Sequence, residues 1–181
     1  MSQLQTQFKQ QVVPALKEKF GYKSVAQVPA LKSVTVNVGY GRHNKDKAYI
    51  DNVENTLRRI TGQKPVHNLA RKSISNFKIR EKADIGMSVT LRGEMMYEFL
   101  YRFVHLVLPR VRDFRGISKK AFDRQGNYSL GIKESIAFPE VNVDTSEKIH
   151  GLQVVITTSA KNKEEGLALL ELLGFPFKQE S

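Results

Sequence analysis

Apolar residues recur along this chain with two periods, four and two, and the switches between them lay out the elements. Leu4, Phe8, Val12, Leu16 and Phe20 are spaced by four, which predicts an amphipathic helix over 2–20. Pro14 falls inside it and is expected to kink or split it, because its ring clashes with the carbonyl of Gln10; Gly21 is a natural stop. Residues 31–38 then alternate, with Val34, Val36 and Val38 on one side and Ser33, Thr35 and Asn37 on the other. Asn44 is placed to cap a helix to residue 60 that carries Ile50, Val53, Leu57 and Ile60 on one face, with Gly62 just past its end. A short extended piece follows at 64–69.

The second alternating strand covers 86–92, with Met87, Val89 and Leu91 apolar and Ser88, Thr90 and Arg92 facing the other way. The strongest helix covers 94–108, where Met95/Met96, Phe99/Leu100, Phe103/Val104 and Val107/Leu108 make a wide buried stripe. Residues 109–125 show no sustained period and read as a long ordered loop. Tyr128, Leu130 and Ile132 mark another strand, and Leu152, Val154 and Ile156 a further one, joined by a connection from Phe138 to His150. Asn162 with Glu165 three residues on is a capping-box pattern for a last, leucine-rich helix that Gly174 and Pro176 stop. The order and the polar strand faces predict an α+β fold: one domain over 1–181, with a mostly antiparallel sheet and helices packed on its apolar face.

Charge changes this picture. The chain has net charge +11, but residues 1–57 carry 8 basic and 4 acidic groups, residues 58–124 carry 16 and 6, and residues 125–181 carry 5 and 8. The middle third is therefore +10 while the last third is −3. Between Gln63 and Lys82 six cations (Lys64, Arg71, Lys72, Lys78, Arg80, Lys82) face one acid, Glu81. Such a segment, a basic arm at about 70–85, has no internal partners for its charge and is suited to a polyanion. Phe77 lies among these cations, where it can stack on a base or tuck onto its own domain with Ile74 and Ile79; both readings stand. The Thr, Asn and Ser side chains of the polar sheet face are short donors and acceptors suited to sugar and phosphate oxygens, with water as the plain alternative partner. In Pro109–Gln125, pairing of Asp113 with one of Arg110, Arg112 and Arg115 is expected.

Catalytic patterns are missing. With no cysteine, disulfides, thiol catalysis and cysteine zinc sites are excluded. His43, His67, His105 and His150 have no metal-ligand spacing, and His105 reads as a partly buried helix residue. Glu164/Glu165 sit at a helix start, where the dipole accounts for them. No cofactor is called for, no run is long and apolar enough for a membrane span, and the first residues carry no secretory signal, so the expectation is a soluble cytoplasmic protein and no enzyme. A small enzyme acting on a phosphorylated metabolite would need convergent acid–base groups. A protein adaptor docking an acidic partner through the arm is the other alternative.

Seven blocks carry a specific likeness: GQKP at 62–65, ARKSISNFKIRE at 70–81, VTLRGEMMYEFL at 89–100, PRVRDFRGIS at 109–118, GNYSLGIKE at 126–134, FPE at 138–140 and ELLGFPF at 171–177. In one register from about residue 3 to 178 the chain resembles the family of bacterial-type large-subunit ribosomal protein five. That resemblance implies a structural protein that binds 5S rRNA and helps attach it in the central protuberance, alongside 23S rRNA and neighbouring large-subunit proteins. It implies 5S contacts at Lys32, Ser33, Asn37, Gln63, Lys64, Ser88, Thr90 and Arg92. It implies contact with P-site tRNA through Arg71, Lys72, Ser73, Phe77, Lys78 and Arg80. It further implies an intersubunit bridge to small-subunit protein thirteen through Arg110, Arg112, Asp113, Phe114, Arg115, Lys133 and Glu134. The chain departs from the family pattern at Lys82 and Ala83, where a glycine often follows the arm's RE, and at His150, where arginine is frequent and a phosphate contact is at stake.

Overall fold

The structure, a computed structural model, describes residues 2–141 and 149–178. Most of the predicted connection from Phe138 to His150 therefore lies outside the described residues. The elements in order are α1 (3–20), β1 (Leu31–Gly39), α2 (Lys47–Thr61), β2 (Val66–Leu69), β3 (Asp84–Leu91), α3 (93–110), β4 (Tyr128–Ile132), β5 (Leu152–Thr158) and α4 (Lys163–Leu172). The five strands form one antiparallel sheet in the order β2-β3-β1-β5-β4, so the fold is α+β as the alternation predicts. By packing, the chain divides into two compact units that interleave in sequence. The first comprises 1–34, 91–130 and 155–181; the second comprises 35–90 and 131–154.

In the first unit, both prolines that threaten helices are handled in the same way. A π turn covers Phe8–Val12 ahead of Pro14, with the Val13 N–H bonded to the Phe8 carbonyl. A second covers Phe103–Val107 ahead of Pro109, with the Leu108 N–H bonded to the Phe103 carbonyl. Each five-residue bond widens the turn that the proline ring would otherwise crowd, so neither helix breaks. The kink or split expected at Pro14 takes the form of a π bulge. Leu4, Val12 and Leu16 of α1, Phe99, Leu100 and Phe103 of α3, and Leu169, Leu170 and Leu173 at the C-terminus are all buried. Phe8 of α1 meets Tyr97 of α3 with ring centroids 6.3 Å apart. Met95 departs from the predicted stripe at 46% exposed, and His105 is exposed rather than partly buried, because each lies on a flank of α3 away from the core.

The last helix starts as its sequence predicts. Asn162 Oδ1 accepts the Glu165 N–H at 2.9 Å, while Glu165 Oε2 reaches back to the Lys161 N–H at 2.8 Å. Its first turn lies directly on the turn before β4. A Cβ at Gly166 would stand 2.8 Å from the Gly126 Cα, and one at Gly126, whose φ is +76°, would stand 2.6 Å from the Asn162 carbonyl oxygen. Two glycines therefore face each other because neither position has room for a carbon.

The second unit buries Val36 and Val38 of β1, Met87 and Val89 of β3, and Val53, Leu57 and Ile60 of α2, each at 3% exposure or less. Gly62 ends α2 in the left-handed region at φ +71°, as expected. The start of α2 differs from expectation. Asp46, not Asn44, is the cap, and its carboxylate accepts the Tyr49 N–H at 3.2 Å. The reason is local: Gly41–His43 forms a 3-10 turn and the Asp46 N–H bonds the His43 carbonyl at 3.0 Å, which delays the helix past Asn44. Among the described residues no helix is long and apolar enough to cross a membrane.

Replacing Gly166 with Ala is expected to destabilise the protein by about 1–3 kcal/mol through overpacking against the Gly126 backbone. Gly131→Ala, at a position with nothing within 4 Å of the added carbon, is expected to be near neutral. Urea denaturation of the two variants side by side checks the pair.

Candidate nucleic-acid interface

The valines of β1 point into the core, so alternation turns Thr35 and Asn37 to the opposite face. Their neighbours on β3 do the same, and the short groups bond to one another. Thr35 Oγ1 and Thr90 Oγ1 lie 3.4 Å apart. Asn68 of β2 donates through Nδ2 to Ser88 Oγ at 3.2 Å and to Asn37 Oδ1 at 3.5 Å, while the Ser88 hydroxyl lies 3.4 Å from Asn68 Oδ1. The β2–β3 register makes this possible: Val66 pairs with Ser88 and Asn68 with Gly86, so Asn68 is the diagonal neighbour of Ser88. Gly86 has to be bare, since a Cβ there would stand 2.9 Å from the Val38 carbonyl oxygen. The result is a polar patch whose side chains are held in position before any ligand arrives.

The arm leaves this sheet between β2 and β3. At its base the Ala70 N–H bonds the Ala83 carbonyl and the Lys82 N–H bonds the Ala70 carbonyl, both at 2.8 Å. Further out, Ile74 and Ile79 exchange a pair of backbone bonds at 2.9 and 3.2 Å around a 3-10 turn at Ser75–Phe77. The segment is thus a stapled excursion, and Phe77 at its tip is 70% exposed. This settles the open reading of Phe77 against tucking onto the chain's own domain. Two lysines of the arm occupy the left-handed region, Lys78 at φ 53° and Lys82 at φ 62°. Lys82 stands where the resembled family often has glycine, and it keeps the glycine-like bend.

The acid at the end of the arm is already committed. Asp84 accepts the Tyr40 hydroxyl at 2.7 Å and lies 2.6 Å from His67 Nδ1. Tyr40 is buried, and burial first, then the Asp84 carboxylate, pushes its hydroxyl well above the usual tyrosine range. Asp84 therefore braces the arm's root and leaves the arm's cations unneutralised.

The other predicted site residues divide between the units. In the first unit Lys32 is exposed on the valine parity of β1, Ser33 is buried at 9% exposure, and Arg92 is exposed at the start of α3. In the second, Gln63 and Lys64 are exposed ahead of β2, and Arg71, Lys72, Ser73, Lys78 and Arg80 lie along the arm, all of them exposed. Of the bridge set, Arg110, Arg112, Asp113 and Arg115 are exposed and Phe114 half-buried in the first unit, while Lys133 and Glu134 are exposed in the second. Among the described residues Asp113 makes no ion pair with its neighbouring arginines, contrary to expectation; it sits in the left-handed region at φ 53°. His150 is buried at 4% exposure, with its ring edge-on to Tyr49 at 6.4 Å. It packs where a phosphate contact was at stake. Asn68 and Tyr40 belong to this arrangement by their hydrogen bonds, and the sequence pattern does not single them out. Among the described residues no group of three or more His, Asp or Glu side chains is placed to hold a metal.

The family profile described as "Ribosomal protein L5" matches residues 24–80, and a second profile, described as the C-terminus of the same ribosomal family, matches residues 84–177. Large ribosomal subunit protein uL5 of Halothermothrix orenii is 52% identical over 99% of this chain and 100% of its own length. The protein of the same name from Colwellia psychrerythraea is 51% identical over 99% of each.

A left-handed lysine carries a backbone cost of about 1–2 kcal/mol that glycine avoids. Lys82→Gly is therefore expected to raise stability, by less than that figure because glycine also frees the unfolded chain. A urea midpoint shifted downward in this variant would contradict the strained bend.

Proposed function

Because the chain belongs to the ribosomal protein L5 family, we propose that its two interface features serve two RNAs in the ribosome. The protein is a structural, non-enzymatic constituent of the large ribosomal subunit and works in the cytoplasm as part of that particle. Within that role the polar sheet face binds 5S rRNA. Thr35, Asn37, Asn68, Ser88 and Thr90 supply short, prepositioned donors and acceptors to ribose and phosphate oxygens, and Gln63 and Lys64 extend the same edge. Lys32 and Arg92, which lie in the first unit, are given to 5S rRNA as well. The chain over 1–181 is read as a single ribosomal RNA-binding domain.

The observation that carries the reading is the Asn68–Ser88–Asn37 hydrogen-bond set. A merely solvated face has no need of amides locked against one another. Locked groups, by contrast, lose little rotamer freedom when a ligand displaces water from them. The arm is given to P-site tRNA: its cations are unneutralised, and Phe77 is offered at the tip for stacking. The exposed arginines after α3, with Lys133 and Glu134, are given to small-subunit protein thirteen, and the remaining surface to 23S rRNA and neighbouring large-subunit proteins.

Filter binding of the purified protein to 5S rRNA, with tRNA and a simple polyanion as controls, tests the assignment. Binding is expected to favour 5S rRNA and to fall steeply with salt as counterions are released. Asn68→Leu, which keeps the volume and removes the amide, is expected to weaken 5S binding on the order of tenfold, the worth of one or two lost polar contacts. Replacing Lys72, Lys78 and Arg80 together is expected to leave 5S binding largely intact and to weaken tRNA binding to assembled ribosomes. Equal affinity for all three ligands, or loss of 5S binding in the arm variant, would overturn the division.

A further inference from the structure

A concavity of about 660 Å³ opens beside the arm, lined by Asn44 and Lys45 from the β1–α2 connection and by Ser73, Ser75, Lys78 and Arg80 from the arm, with Ile79 and Ala83 between them. Two separate chain segments therefore converge on one space, and all of it lies within the second unit. We propose that this concavity is a binding pocket for a single phosphodiester of an RNA backbone, and that Lys45 and Asn44 complete it from outside the arm. The inference rests on the reading of the arm given above and adds to it a place and a second set of ligands.

The chemistry of the lining points to one anion. Among the described residues none of Lys45, Lys78 and Arg80 is engaged in an ion pair. Among the described residues the lining holds no acid. Asp46, beside Lys45, has its carboxylate on the N–H of Tyr49 at the start of α2, and Asp84 is held by Tyr40 and His67. Ser73 is oriented for donation: its Oγ accepts the Glu81 N–H at 2.8 Å, so its hydroxyl hydrogen is left to point at a ligand. Lys78 sits in the left-handed region immediately after the 3-10 turn, a conformation that lysine rarely adopts. The strain is held by the Lys78 N–H bond to Ser75 and by the Ile74–Ile79 pair on either side of it.

An RNA backbone fits better than a free metabolite. The space is open to solvent, and among the described residues its walls offer cations and hydroxyls but no aromatic or apolar surface beyond Ile79 and Ala83 to grip a base or a small organic body. Phe77, which is exposed on the same arm, provides for an adjoining base instead. A phosphate gripped here and a base stacked there would fix the register of an RNA strand along the arm.

The test uses large subunits that lack this protein, reconstituted with the full-length chain or a variant, and reads the affinity of P-site tRNA. Lys45→Ala is expected to weaken tRNA binding on the order of tenfold, as Lys78→Ala does, because each removes one charge-assisted phosphate contact. Lys47→Ala, a lysine two residues away that does not line the pocket, is expected to change nothing. A Lys45→Ala subunit that binds tRNA like the wild type while Lys78→Ala is weakened would overturn the pocket and leave the arm reading standing. If neither variant weakens binding, the arm reading fails and the pocket with it. Equal weakening by Lys47→Ala would also overturn it, since diffuse charge would then suffice.

Discussion

A strand has two faces, and the valines of β1 use one of them completely. Val34, Val36 and Val38 are at 1% exposure or less, so the residues between them have no choice of direction. Everything at the proposed 5S surface follows from that constraint. Thr35 and Asn37 face outward because the core requires their neighbours, and Thr90 and Ser88 answer them from β3. The same alternation that stabilises the sheet thereby builds a row of polar groups on its other side. A one-residue slip of register would exchange the two sets. Gly86 guards against such a slip locally, since only a bare residue lets the β1 backbone approach so closely.

The arm obeys a different logic. It has little apolar surface to bury, and its order comes from backbone bonds at the base and waist together with the Tyr40–Asp84–His67 brace at its root. This allows an exposed, strongly cationic segment to keep a shape without a core beneath it. The cost falls on Lys78 and Lys82, both held in the left-handed region. Strain of this kind persists only where surrounding bonds over-determine the backbone, and it gathers at binding segments.

Much of this was legible in the sequence. Periods of two and four locate the helices and the longer strands, Gly62 and the Asn162–Glu165 pair mark ends and starts, and the charge imbalance picks out the arm. What stayed hidden was decided by contacts between distant residues. Asn68 sits in a four-residue strand too short to show alternation, and only the register with β3 places its amide beside Ser88. Tyr40 reads as part of a glycine turn, yet its hydroxyl is bound by a carboxylate 44 residues on. Asn44 and Asp46 are equally good caps in isolation, and a 3-10 turn chose the later one. Ser33 lies on the polar parity of β1 but is buried, which alternation alone does not explain. Which RNA each surface is proposed to meet came from the family likeness.

In the proposed function the locked amides of the sheet face contact 5S rRNA directly. Side-chain amide NMR signals report on it residue by residue. Titration of the full-length protein with 5S rRNA is predicted to shift the Asn37 and Asn68 NH2 resonances early and together. The Asn127 amide, bonded to Asp123 at 2.8 Å in the first unit, is predicted to stay in place. Unmoved Asn37 and Asn68 signals at saturating RNA would contradict the account.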